Sequence, residues 1–122
     1  LAERIAHRER TRVLVTGDSV GQVASQTIEN IDVISRAVSM PILRPLVGDD
    51  KIDIVDLARK IGTYDISIQP DQDCCSLIVP KHPETHAKLT EVETSESRLN
   101  VAEVMQQCLA EAEVVQATPL GI

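Results

Sequence analysis

Apolar and polar positions alternate along this chain in two rhythms, one of strands and one of helices, and the change from one to the other marks out the elements. Arg12-Val13-Leu14-Val15-Thr16 is short and β-branched and predicts a strand. From Val23 onward apolar residues recur at Ala24, Ile28, Ile31, Ile34 and Val38, a spacing that predicts a helix from about Gln22 to Val38. Met40-Pro41-Ile42-Leu43-Arg44 predicts a second strand, and strand, helix, strand in that order implies a right-handed parallel unit. Asp49-Asp50-Lys51-Ile52-Asp53 has carboxylates placed to cap and charge a helix start. Ile54, Leu57, Ala58 and Ile61 form that helix's inward stripe, and Gly62 suits its carboxyl cap. Upstream, Leu1 to Arg8 reads as the end of a helix with Ile5, and Ala2 beside it, facing inward.

Periodicity fades from Thr63 to about residue 90, where prolines stand at 70, 80 and 83. This predicts irregular structure with a short extended piece at Ser76 to Val79. Thr90 to Ser97 is polar and acidic, a linker or helix start with Ser95 or Ser97 as its cap. A last helix of about Arg98 to Ala112 carries Val101, Val104, Met105, Cys108, Leu109 and Ala112 on one face, and Val114 to Ala117 has the make-up of a final edge strand. The fold class is therefore α/β with a parallel sheet.

In such folds the ligand crevice lies beyond the carboxyl ends of the strands. Here that place is taken by Thr16-Gly17-Asp18-Ser19-Val20-Gly21-Gln22-Val23-Ala24-Ser25-Gln26-Thr27. Gly17 and Gly21 let the backbone approach a ligand, and a helix amino terminus offers free N–H groups. Asp18 and Gln22 are candidates to orient ribose or base edges, with Gln26 and Thr27 one turn further on. Arg44, at the end of the second strand, either points its guanidinium at phosphates gathered in the crevice or salt-bridges to Asp49 or Asp50.

Composition narrows the choice of ligand. At 122 residues and 43% hydrophobic the chain is at most one domain with a modest core, and its single aromatic residue, Tyr64, leaves almost nothing on which RNA bases can stack. A formal net charge of −7 argues against a broad phosphate-binding surface, although Arg4, His7, Arg8, Arg10 and Arg12 gather as either a local phosphate contact or a solvated helix end. No apolar run reaches membrane-spanning length, so no membrane is expected as a partner. Three cysteines, two of them adjacent, make no disulfide framework and fit a reducing cytoplasm.

Cys74 and Cys75 are the main candidates for chemistry, because a thiolate carries or attacks sulfur and the pair lies off any apolar stripe. On residue type alone they are equally a structural pair. Asp73 beside them raises a thiol pKa, so activation would fall to Lys81, His82 or groups outside residues 1–122. His82 and His86 are spaced for one side of a helix started by Pro83. Adjacent cysteines do not reproduce a Cys-x-x-Cys chelate, and no metal site is expected. Cys108 is expected to be a small hydrophobe on a buried face.

The glycine motif, followed by Leu43-Arg44-Pro45-Leu46, by Asp73-Cys74-Cys75-Ser76 and by Pro80-Lys81-His82-Pro83-Glu84-Thr85, closely resembles the tRNA 4-thiouridine synthetases. These are sulfurtransferases also tied to thiamine thiazole synthesis. The resemblance runs from about Arg12 to His86, with the three motifs in family order. It implies a partial doubly wound parallel sheet, the C-terminal part of an adenine-nucleotide alpha-hydrolase-like (PP-loop) domain. It also implies ATP with Mg2+ as cofactors, and tRNA and a cysteine desulfurase as partners. Gly17, Asp18, Gly21, Gln22, Gln26 and Arg44 would lie on the nucleotide side, and Cys75, or Cys74 because the pair makes the register ambiguous, would take the sulfur step. The family's upstream Ser-Gly-Gly-x-Asp-Ser loop is absent and the chain starts at Leu1 rather than Met, so residues 1–122 are expected to be a fragment, inactive alone. A half-sheet with open edges further predicts a homodimer. The rival expectations are a non-catalytic assembly module and a different ATP-dependent transferase of the same fold.

Overall fold

The computed structural model describes residues 1–70 and 82–116. In chain order these form α1 (Ala2–Arg8), β1 (Leu14–Val15), α2 (Ile28–Ser35), β2 (Ile42–Leu43), α3 (Lys51–Lys60), α4 (Tyr64–Ser67), α5 (Leu89–Glu96) and α6 (Val101–Ala110). β1 and β2 pair in parallel, Leu14 opposite Ile42 and Val15 opposite Leu43. The ladder is carried by Leu14 N–H to Pro41 O at 2.9 Å and Thr16 N–H to Leu43 O at 3.0 Å. The α/β class and the parallel unit thus stand, with strands trimmed to their two central residues.

Helix boundaries follow their caps. Asp50 Oδ1 accepts the amides of Ile52 and Asp53 at 2.7 and 3.1 Å and starts α3 where the acidic run predicts. The helix ends in a Schellman turn, Thr63 N–H to Ala58 O and Gly62 N–H to Arg59 O, with Gly62 at φ 76° as that turn requires. α1 closes the same way, through Thr11 N–H to Ala6 O and Arg10 N–H to His7 O, but places Arg10 at φ 57°, where a side chain is strained. Beyond α1, Glu3 reaches the β2 approach: Oε1 accepts the Ser39 amide at 2.9 Å, the Ser39 hydroxyl at 2.7 Å and the Met40 amide at 2.9 Å. The Ser39 hydroxyl and the two amides hold the Glu3 carboxyl below its ordinary value of 4.5.

Five expectations need correction. α2 begins at Ile28 and not near Gln22, because Gly21 sits at φ 80° and Thr27, whose hydroxyl accepts the Asn30 amide, is the residue that caps. Thr90 to Ser97 is the body of a helix, α5, and the final helix is capped by Asn100, so neither Ser95 nor Ser97 is an N-cap. No strand forms over Val114–Gln116, and residues 82–88 contain no helix after Pro83. Cys108 is exposed, since no described element covers its side of α6. The extended piece at Ser76 to Val79 lies outside the described residues.

Burial is shallow. Ala6 is the one apolar residue buried outright among those described, and of the inward stripes only part is covered: on α3, Ile54, Val55 and Ala58 are half-buried while Leu57 and Ile61 remain exposed. Leu14 and Ile42 on one sheet face are half-covered. Val15 and Leu43, paired on the other, stay 65% and 56% exposed. Among the described residues, this apolar helical and sheet pattern is only partly covered.

Candidate functional site

The glycine motif folds into a looped wall between β1 and α2. Val20 N–H bonds Val47 O at 3.1 Å and Gly21 N–H bonds Gln26 O at 3.0 Å. The Ser19 hydroxyl, buried, donates to Asp49 O at 2.8 Å. These bonds fasten the motif to the chain after β2 and open a cleft of about 380 Å³ beyond the carboxyl ends of the strands. Val23, Leu46, Ile54 and Val55 give it apolar walls, Gln22 and Gln26 contribute amides, and Lys51 contributes a cation. A Cβ on Gly17 would meet nothing within 4 Å, so that edge of the cleft is open. Apolar walls with a few convergent polar groups are the usual make-up of a small-molecule site.

Sequence reasoning brought Gly17, Gln22 and Gln26 to this cleft, and there they are. Gly21 shapes the loop instead of lining it. Asp18 and Arg44 meet each other: Arg44 Nε to Asp18 Oδ2 is 2.9 Å, with side chains only 13% and 26% exposed. Arg44 Nη2 also donates to Ser35 Oγ at 2.9 Å and the Thr16 hydroxyl to Asp18 Oδ2 at 2.7 Å. The arginine therefore salt-bridges, as one of its two readings had it, but to Asp18 and not to Asp49 or Asp50, because the parallel register sets the ends of β1 and β2 side by side.

Lys51 was missed. It is the one cation in an acidic helix start, at the first position of α3. A helix N-terminus disfavours positive charge, so its placement there, without an ion-pair partner among the described residues, fits a role toward an anion.

Asn30 was missed too, although the Thr27-x-x-Asn30 spacing carries a capping signal. Its side chain is buried. Nδ2 donates to Ser25 O at 2.8 Å and to Glu84 O at 2.7 Å, and Oδ1 accepts the Ala87 amide at 2.9 Å. The Thr27 hydroxyl donates to Thr85 O at 2.7 Å. Residues 84–87 are thereby bound to the motif.

Cys74, Cys75, Asp73 and Lys81 lie outside the described residues. His82 and His86 are exposed; His86 Nδ1 lies 2.8 Å from the Thr85 hydroxyl, and no group of three metal-ligating side chains occurs among the described residues. Two larger depressions lie elsewhere, about 480 Å³ along α5 and about 540 Å³ beside α1, the second lined by His7, Arg10 and Arg12 with Glu3. Neither touches the motif. No helix among the described residues is long and apolar enough to cross a membrane.

Known proteins resemble this chain over most of its length. A family model described as thiamine biosynthesis protein (ThiI) matches residues 1–101. Proteins named "Probable tRNA sulfurtransferase" are 48% identical over 119 residues in Moorella thermoacetica and 49% identical over 118 residues in both Acetivibrio thermocellus and Thermus thermophilus. These alignments take in 98%, 97% and 97% of this chain but 30%, 30% and 29% of those proteins, so the chain spans under a third of their length. A 4-thiouridine synthetase solved as an RNA complex with bound ATP superposes with a TM-score of 0.83 at 39% identity, over 92% of this chain and 29% of that one.

Proposed function

The chain belongs to the ThiI family of thiamine biosynthesis proteins, and from that premise we propose that it is the nucleoside-binding part of an ATP-dependent tRNA sulfurtransferase that forms 4-thiouridine and also serves thiamine thiazole synthesis. The observation that carries this reading is the cleft, which brings Lys51 of α3 beside Gly17, Gln22 and Gln26 of the glycine motif. Its apolar walls suit the faces of a purine and its two amides the base edges. Lys51 would meet the phosphates, and the open side at Gly17 leaves room for the ligand.

The finer architecture we infer is one half of a doubly wound PP-loop sheet. The exposed Val15 and Leu43 support such an extension, since neighbouring elements would cover them. ATP, when bound, supplies a leaving group: transfer of its adenylyl moiety to the C4 oxygen of a tRNA uridine releases pyrophosphate and lets that oxygen depart as AMP. The chain's own part is to hold the nucleoside between Val23 and Ile54 and to keep Arg44 and Asp18 paired behind the loop, so that its shape is preset. Cys75, or Cys74, is proposed to take part in the sulfur attack on C4, with a cysteine desulfurase supplying the sulfur. Mg2+ would arrive with the phosphates, since the described residues offer no carboxylate cluster to hold it. A cytoplasmic setting and a homodimer complete the proposal.

The test uses the full-length protein with ATP, tRNA, a desulfurase and cysteine, reading 4-thiouridine by mass spectrometry of digested tRNA. Lys51→Met is expected to raise the KM for ATP at least tenfold, and Cys75→Ser or Cys74→Ser to stop thiolation. Unchanged nucleotide kinetics in Lys51→Met would remove the cleft from the reading. Full activity in both cysteine variants would remove the cysteines.

A further inference from the structure

We infer that the depression beside α1, where His7, Arg10 and Arg12 meet, is a contact for the phosphate backbone of RNA, separate from the nucleotide cleft and at the opposite end of the sheet. The inference rests on the sulfurtransferase reading and deepens it, since it assigns part of the RNA's footprint to this chain.

Charge is unevenly spread along the sequence. The whole carries a formal −7, yet residues 1–12 hold four arginines, Arg4, Arg8, Arg10 and Arg12, against two glutamates, Glu3 and Glu9. Cations are favoured at a helix carboxyl end, which accounts for His7 and Arg8 in the last turn of α1. It does not account for Arg10 and Arg12, which lie beyond the helix. Arg8 pairs with Glu9 at 3.1 Å, whereas Arg10 and Arg12 are exposed and have no ion-pair partner among the described residues. The carboxylate in the same depression, Glu3, has its Oε1 engaged by three donors of Ser39 and Met40. The two guanidinium groups are what an incoming anion meets.

Arg10 carries a second mark. It closes α1 at φ 57°, in the same kind of turn that α3 closes with Gly62 at φ 76°. A side chain is strained there and glycine is not. No described neighbour pairs with the Arg10 side chain, so the strain is offset by nothing in the described fold, and a bound anion would use it.

Topology separates this place from the cleft. Arg12 precedes β1 while Met40 and Pro41 precede β2, so the depression lies at the amino ends of two parallel strands. The cleft of Gly17, Gln22 and Gln26 lies beyond their carboxyl ends and shares no lining residue with it. From Arg12 to Thr16 the extended chain covers about 13 Å. Guanidinium forks suit phosphate oxygens, and RNA presents phosphates in series along a surface. No aromatic residue lines the depression, so the contact positions the RNA and reads no base.

The experiment measures tRNA binding by the full-length protein in anisotropy titrations between about 50 and 200 mM salt. Arg10→Gly, Arg12→Gln and the double variant are compared with Lys60→Gln, which removes an exposed cation from the last turn of α3. Each arginine variant should weaken binding about three- to tenfold at the lower salt and reduce the slope of log K against log salt by about 0.7–0.9. Lys60→Gln, and the KM for ATP at saturating tRNA in every variant, should stay within about twofold of the parent. Arg10→Gly should unfold at the parent's temperature or above it, because glycine relieves the turn, and its loss of affinity is then no folding defect. Affinity and slope unchanged in the double variant overturn the inference and leave a solvated helix end. So does an equal loss in Lys60→Gln, which would report net charge alone. Intact tRNA binding with weaker capture of the desulfurase would give the patch to an acidic protein and overturn it too. Absence of 4-thiouridine formation by the unsubstituted protein refutes the sulfurtransferase reading itself, and is seen before any variant is made.

Discussion

Replacing Arg44 by methionine separates a structural arginine from a ligand-binding one. Its guanidinium makes two bonds of 2.9 Å, to Asp18 and to Ser35, and the pair is 13% and 26% exposed. Charge-assisted bonds contribute about 1.5–3 kcal/mol each and a fully buried stranded charge costs about 3–5 kcal/mol. Asp18 keeps the Thr16 hydroxyl and some water, so about 3 kcal/mol is expected for Arg44→Met. Asp18→Asn keeps the volume and one acceptor and should cost about 1–2 kcal/mol, leaving a coupling energy of about 1–2 kcal/mol in the double variant. The assay is amide hydrogen exchange at Leu14 and Thr16, whose N–H groups make the ladder beside the pair. Three kcal/mol corresponds to exchange faster by about 100-fold in Arg44→Met. Additive effects with coupling below about 0.3 kcal/mol, together with a selective rise in the KM for ATP, would refute the pairing and return Arg44 to the ligand.

Gly17→Ala should leave stability unchanged, since its Cβ meets no atom, yet weaken ATP binding several-fold in calorimetry; Gly21→Ala, equally uncrowded but at φ 80°, should instead cost about 1 kcal/mol with little effect on affinity. Glu3→Gln should be less stable than the parent at neutral pH in thermal unfolding. Because the folded carboxyl lies below its ordinary value of 4.5, that difference is fully present above 4.5 and should disappear as pH falls through the folded value; a difference that persists in acid would place its origin elsewhere. Cys108, exposed on α6, should be alkylated by iodoacetamide in folded residues 1–122, as peptide mass spectrometry would show, and protection would mean that another surface covers the helix.

Periodicity and caps made much of the fold legible. The Asp49–Asp53 run and Gly62 placed α3 because an N-cap carboxylate and a left-handed C-terminal glycine each act on the helix turn beside them, and short apolar runs, the first of them β-branched, located both strands for the same local reason. The start of α2 was not legible. Val23 and Ala24 continue the helical spacing, but Gly21 turns the chain and Val23 is spent on the cleft wall, a choice made by contacts with Val47 and Asp49 far along the sequence.

The sequence by itself determined the parallel unit, the crevice and the membership of Gly17, Gln22 and Gln26 in it, since short-range geometry dictates where a strand–glycine–helix turn lies. Only the tertiary structure decided that Asp18 belongs to Arg44, that Lys51 completes the cleft, that Asn30 holds residues 84–87, and that Cys108 faces outward. Each of those depends on which distant groups meet, and a pairing between residues tens of positions apart leaves no periodic trace in the chain.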